Sequence, residues 1–385
     1  MEKDILEIFK CELLGLEEKG ILRHLPAVIH QGEEIRFGRK RMLNLSSNDY
    51  LGLATDISLR EEFLQSLTPD NLLFTSSSSR LLTGNFNIYT ELENQLSRMF
   101  GSESALVFNS GYHMNTGILP AICNSGTLIL ADKLVHASLI DGIRLSGAKY
   151  FRYHHADYNH LDKLLEMHSK SFERIIIVTE SIFSMDGDVT DLHHLVRLKQ
   201  KYSNVLLYVD EAHAVGIRGE QGLGCAEEQG CIPDIDFLTG TFGKALASVG
   251  GYIICRKVIR DYLINKMRTL IFTTALPPIN LMWSKFVMER LNSFSNKRKH
   301  LKENSSFLKE RIIEKGYNCP SESHIIPLMI GDNKKAILKA EDMWRKGFYM
   351  LPVRPPTVPE GTARIRISLT ANITREIVNQ IADSI

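Results

Sequence analysis

The sequence of 385 residues has no long apolar run, no excess of either charge and no low-complexity stretch. Each absence removes a class of protein. No run approaches the roughly 20 consecutive apolar residues that span a bilayer. The first residues, Met1-Glu-Lys-Asp-Ile-Leu-Glu, are charged and contain no apolar core of an export signal. Net charge is +1, from 46 basic and 45 acidic residues, too little to draw nucleic acid as a main partner. The six cysteines (11, 123, 225, 231, 255 and 319) are scattered; only Cys225 and Cys231 are near one another, and no histidine completes a zinc spacing with them. They read as reduced thiols of a cytoplasmic protein, and no metal site is expected. The stretch Gly219-Glu-Gln-Gly-Leu-Gly224 lacks the Gly-Lys-Ser/Thr of a nucleotide-binding loop.

What is present is an ordinary globular composition, 44% hydrophobic and 24% charged, on a chain long enough for two or more domains. One lysine stands out by its setting. Asp236-Phe-Leu-Thr-Gly-Thr-Phe-Gly-Lys244-Ala-Leu-Ala-Ser-Val-Gly-Gly251 surrounds Lys244 with small and polar residues, which let a planar group approach the backbone. Upstream, Val205-Leu-Leu-Tyr-Val-Asp210-Glu-Ala-His213 reads as a buried parallel strand that delivers Asp210 to its C-terminal edge, where open α/β sheets bind ligands. A lysine that bonds an aldehyde, with an aspartate for a pyridinium nitrogen, is what pyridoxal 5′-phosphate (PLP) requires.

Six ordered motifs carry a resemblance: Ser46-Ser-Asn-Asp-Tyr-Leu-Gly52, Asn109-Ser-Gly-Tyr112, Ala131-Asp-Lys-Leu-Val-His136-Ala-Ser138, Glu180-Ser-Ile-Phe-Ser-Met-Asp-Gly187, Asp210-Glu-Ala-His213 and Thr241-Phe-Gly-Lys244. From about residue 20 to about residue 375 the chain resembles the α-oxoamine synthases, fold-type-I PLP enzymes that condense an amino acid with an acyl-CoA. The resemblance implies an α/β fold: a large domain with a mostly parallel seven-stranded sheet flanked by helices, and a small α+β C-terminal domain. The expected division is an N-terminal helix and hairpin over 1–45, the PLP-binding domain over 46–280, a linking helix over 281–315 and the small domain over 316–385.

The resemblance also implies roles. Lys244, His136 and Asp210 would be catalytic. Gly111 and Tyr112, at a strand-to-helix turn whose free N–H groups favour an anion, are candidates for the cofactor phosphate. His136 would stack on the pyridine face, Ser181 hydrogen-bond the cofactor and His213 reach its ring hydroxyl. Thr241 would position the phosphate or the lysine. Thr273 and Thr274 would reach a neighbouring subunit's phosphate in a homodimer with shared active sites. Arg23 would line the acyl site and Asn48 would meet the substrate carboxylate. In Ala363-Arg-Ile-Arg-Ile-Ser-Leu369, period-two alternation is read to expose Arg364 and Arg366 on one face, with Arg366 binding the amino-acid carboxylate. The run Arg354-Pro-Pro-Thr357-Val-Pro359 is similar to members that take L-alanine and a pimeloyl thioester, on CoA or a carrier protein; Thr357 would face that substrate. Members using glycine or serine, and an aminotransferase or decarboxylase of the same fold, are the alternatives.

Overall fold

The computed structural model describes residues 5–385, and the chain packs as two compact units. One unit takes Asp49–Ser184 and Val189–Lys299; the other takes the chain up to Asn48, Met185–Asp188 and His300–Ile385. Of the N-terminal part expected over 1–45, the described residues 5–45 group with His300–Ile385, residues 1–4 lie outside the described residues, and the helix Ser295–Glu314 contains the point where the chain leaves the first unit.

The first unit is built on a seven-stranded sheet. Its strands lie in the order Ser104–Phe108, Gly251–Cys255, Phe237–Thr241, Val205–Asp210, Arg174–Glu180, Thr127–Asp132 and Lys149–Tyr153. Gly251–Cys255 is antiparallel to both neighbours, and the four pairings from Phe237–Thr241 across to Lys149–Tyr153 are parallel. The parallel strands read as unbroken apolar runs because both faces are covered: Ile175, Ile176, Ile177 and Val178 are all fully buried. Helices Gly111–Ile122 and Ala137–Ser146 pack against the sheet through Met114, Ile118, Leu139 and Ile143, each such side chain contributing about 1.5–3 kcal/mol relative to exposure. A Cβ at Gly142 would sit 2.3 Å from the Asn115 carbonyl oxygen, so a bare glycine is what lets these two helices touch. Side chains of Ser110, Asp157 and Asp191 cap the helices that follow them by accepting the third N–H.

The second unit holds two small sheets. The expected hairpin forms as Glu34–Phe37 against Lys40–Asn44, extended by Ile29–Gln31 and by the parallel Phe348–Tyr349. The other sheet pairs Ile325–Gly331, Ala363–Ser368 and Pro352–Val353, all antiparallel. Helix Leu6–Glu18 forms where apolar spacing predicts one, yet none of its residues is buried, and Ile8, Phe9 and Leu13 are all more than half exposed. Among the described residues no helix is long and apolar enough to cross a membrane, and all six cysteines are free thiols.

Candidate active site

In the sheet-based unit, strand ends bring chemistry to one edge. Pairing in register sets Glu180 beside Asp210, and Asp210 beside Thr239 of the strand that leads to Lys244. Lys244 follows that strand in a tight turn, and its Nζ lies 2.9 Å from His213 Nε2. His213 is buried, and its other ring nitrogen, Nδ1, lies 2.7 Å from the Tyr50 hydroxyl. A lysine ammonium donating to Nε2 leaves the proton on Nδ1, from where it is donated to Tyr50. Tyr50 is fully buried.

Asp210 is 5% exposed and is held on both oxygens. Oδ2 accepts from Asn115 Nδ2 at 2.8 Å, and Oδ1 accepts the Ala212 N–H at 2.9 Å. Asn115 is itself fixed: it also donates to Ser138 Oγ at 2.9 Å and accepts from the Tyr208 hydroxyl at 2.7 Å. Ser138 connects onward to His136, whose Nδ1 lies 2.8 Å from Ser138 Oγ and accepts the Ser138 N–H at 3.2 Å. The His136 proton therefore sits on Nε2. Burial holds His136 below the usual imidazole range; the Asp210 charge opposes this and Lys244 adds to it. Glu180 is pushed well above the carboxylate range by burial and then by Asp210, and its Oε1 has no hydrogen-bond partner among the described residues. Glu211 rises to about 7, again mainly through burial, although the N–H groups of Cys225 and Ala226 donate to it at 2.9 and 2.7 Å.

The candidate anion cradle lies at the start of helix Gly111–Ile122. Ser110 caps the helix by accepting the His113 N–H, and a Cβ on Gly251 would come 3.0 Å from the Gly111 nitrogen, crowding the bare backbone there. Thr241 Oγ1 donates to the Gly250 carbonyl at 2.8 Å and accepts the Gly243 N–H at 3.1 Å, so it braces the turn before Lys244. Asn109 Nδ2 donates to Thr273 Oγ1 at 3.3 Å and to the Thr274 carbonyl at 2.6 Å, placing both threonines beside the cradle of their own chain. Tyr112 is half-exposed and donates to Asp141 Oδ2 at 2.7 Å, which raises its phenol above the ordinary range. Ser181 is fully buried, and among the described residues its hydroxyl has no hydrogen-bond partner.

These residues fit PLP. A lysine amine for the aldehyde, a fixed buried carboxylate for a pyridinium nitrogen and a glycine-lined helix start for a phosphate occur on one sheet. Tyr50 and Asn115 were missed by sequence reasoning.

In the other unit the expected substrate residues also meet in pairs. Arg366 donates to Asn48 Oδ1 at 3.2 Å and to Ser368 Oγ at 2.7 Å. Arg23 donates to Thr357 Oγ1 at 3.0 Å, and Arg354, directly after strand Pro352–Val353, donates to the Gly20 carbonyl. Arg364 departs from expectation. It is 3% exposed, with its guanidinium on Asp186 and on the Thr362 carbonyl, so an ion pair replaces the solvated face that alternation suggested.

Comparison with known proteins agrees with this geometry. The aminotransferase class I and II family matches residues 40–385. A protein of Glaesserella parasuis with the provisional name 8-amino-7-oxononanoate synthase is 57% identical over 369 residues, covering 96% of this chain and 97% of its own. A variant of the serine palmitoyltransferase of S. paucimobilis, solved with bound PLP, has a TM-score of 0.89 and 28% identity, covering 99% of this chain and 97% of its own. The 8-amino-7-oxononanoate synthase of Francisella tularensis has a TM-score of 0.76 and 26% identity, covering 89% and 96%. The chain belongs to the aminotransferase class I and II family and, within it, to the PLP-dependent acyltransferases known as α-oxoamine synthases.

Proposed function

We propose that this protein condenses L-alanine with a pimeloyl thioester, on CoA or a carrier protein, and releases CO2, the thiol and 8-amino-7-oxononanoate on the route to biotin. The observation that carries the chemistry is the Lys244 amine 2.9 Å from His213, on the same sheet as the clamped Asp210. The choice of alanine and pimeloyl rests on the relatives' names and on the Arg354-Pro-Pro-Thr357-Val-Pro359 run.

Bound PLP supplies an electron sink for the pair left on the amino-acid Cα. The chain's own residues do the rest. Arg366, oriented by Asn48 and Ser368, takes the alanine carboxylate, since a planar guanidinium fork matches a planar anion. Lys244 removes the Cα proton at Nζ as general base and later returns a proton. His213 and Tyr50 hold that amine in place. Asp210, kept in one orientation by Asn115 and Ala212, secures a positive ring nitrogen. His136 is neutral, carries its proton on Nε2 and offers a flat ring to stack and a donor for the thioester oxygen. Arg23 and Thr357 receive the acyl group. Gly111, Tyr112 and Thr241 serve the phosphate and Ser181 the cofactor ring. Two copies associate, and Thr273 and Thr274 serve the partner's phosphate.

Thiol release tests this reading, over alanine, glycine and serine against pimeloyl-, acetyl-, succinyl- and palmitoyl-CoA. Release confined to alanine with pimeloyl-CoA is expected. Release with glycine or serine overturns the substrate assignment while leaving the acyl transfer. An active monomer by light scattering overturns the shared-site role of Thr273 and Thr274.

A further inference from the structure

Away from Lys244, the strand Lys149–Tyr153 ends in the loop His154-His155-Ala156-Asp157, and helix Tyr158–His168 begins. We propose that His154, Asp157 and His160 form a binding site for one divalent transition-metal ion of the zinc, nickel or cobalt type. Their ligand atoms all lie within 4.8 Å of one another. Two imidazoles and one carboxylate are the donor set that borderline metals prefer over magnesium or calcium, and three protein ligands leave open positions for water.

The loop is shaped before any ion arrives. Asp157 caps the helix with Oδ1, which accepts the His160 N–H at 2.9 Å; its other oxygen, Oδ2, lies 3.7 Å from His154 Nδ1. The His160 ring turns its Nδ1 lone pair inward, where it accepts the His154 N–H at 3.2 Å; an ion takes the same lone pair and releases that N–H to water. The two rings stand 4.4 Å apart between centroids. Behind them Asp132, 2% exposed, anchors the loop by contacting His155 Nδ1 at 2.9 Å and accepting the Ala156 N–H at 3.0 Å. Ala156 in this loop holds a positive φ of 54°, an unfavourable conformation for a residue with a Cβ. Side chains of His154 and Asp157 are 69% and 42% exposed, so an ion has open access.

The test is calorimetric titration of Zn2+ and Ni2+ into untagged, PLP-loaded protein freed of excess cofactor, with thermal unfolding followed in parallel. One equivalent bound at micromolar ion, with a raised midpoint, is expected. His154→Asn with His160→Asn should abolish both effects. Asp157→Asn keeps a good helix cap but loses the charge, and should weaken binding at least about tenfold. Cys231→Ser removes the thiol 3.4 Å from His193, the competing imidazole–thiol pair, and should change nothing. Binding that survives the double histidine substitution, binding that vanishes with Cys231→Ser, or no binding below millimolar ion in correctly folded wild type would each overturn the proposal.

Discussion

The two units hold their candidate site residues under different conditions. In the sheet-based unit, Asp210 and His213 are buried and each has both ends occupied: Asp210 by Asn115 and Ala212, His213 by Lys244 and Tyr50. In the other unit Arg366 is half-buried and donates to Asn48 and Ser368, and Arg23 is exposed and donates to Thr357. The difference matches two tasks. A cofactor that stays through turnover suits a rigid, fully bonded frame. A carboxylate that comes and goes suits a guanidinium that is only half-buried and so can be reached. Arg364, clamped on Asp186, shows what the neighbouring arginine would be if it were structural.

The largest way to break this comparison is Lys244→Ala. Turnover should fall by at least about 10³-fold, with thermal unfolding of the cofactor-free protein little changed, because the amine serves chemistry and not packing. Steady-state thiol release and calorimetry read the two halves. Substantial remaining activity would remove Lys244 from the centre of the site.

Burial on the cofactor side also has a thermodynamic signature at Glu211. Its carboxyl is raised from 4.5 to about 7 in the fold, so the folded protein binds a proton that the unfolded chain has already lost. Stability from this group is therefore present below about pH 4.5 and is lost as pH rises to about 7, a change of about 3 kcal/mol. Urea unfolding across that window should show the wild-type advantage over Glu211→Gln shrinking as pH rises. A difference that stays constant would mean that Glu211 is ionised in the fold throughout.

On the other side, Arg366→Lys keeps the charge and loses the fork. The KM for the amino acid should rise about 10- to 100-fold with a smaller change in kcat. An equal fall in kcat and kcat/KM would assign Arg366 to the transition state, and no change would move carboxylate binding elsewhere. Arg364→Lys should instead act on stability, since its guanidinium is buried on Asp186.

On the sheet-based side, the place of a candidate residue was legible wherever that residue sits in a local motif. Asp210 closes an apolar strand, Lys244 sits among small residues and Gly111 opens a helix, so periodicity and composition alone point to them. What could not be read came from contacts distant in sequence. Tyr50 meets His213 across 163 residues and Asn115 meets Asp210 across 95, and no local pattern encodes either. Alternation in Ala363–Ser368 correctly separates Ile365 and Ile367 from the arginines, but it assumes that the second face meets water. Asp186 covers that face at Arg364. Helical spacing likewise points to an amphipathic helix in the first 25 residues, and helix Leu6–Glu18 forms there, with its apolar stripe left uncovered by the rest of this chain.

The smallest predicted effect tests whether the buried frame acts as one piece. Tyr50→Phe removes a hydroxyl 2.7 Å from His213 Nδ1 and leaves the ring in place. The lost bond should cost about 1 kcal/mol of unfolding free energy. With Nδ1 released, His213 can exchange its proton between the two nitrogens, and the nitrogen facing Lys244 is no longer obliged to accept. The pH profile of kcat should then shift at the limb that reports the lysine, with only a several-fold fall at the optimum. His213→Asn, which removes both bonds together, should fall further. If Tyr50→Phe lowers stability but leaves the profile unmoved, the hydroxyl belongs to packing, and the frame around Lys244 ends at His213.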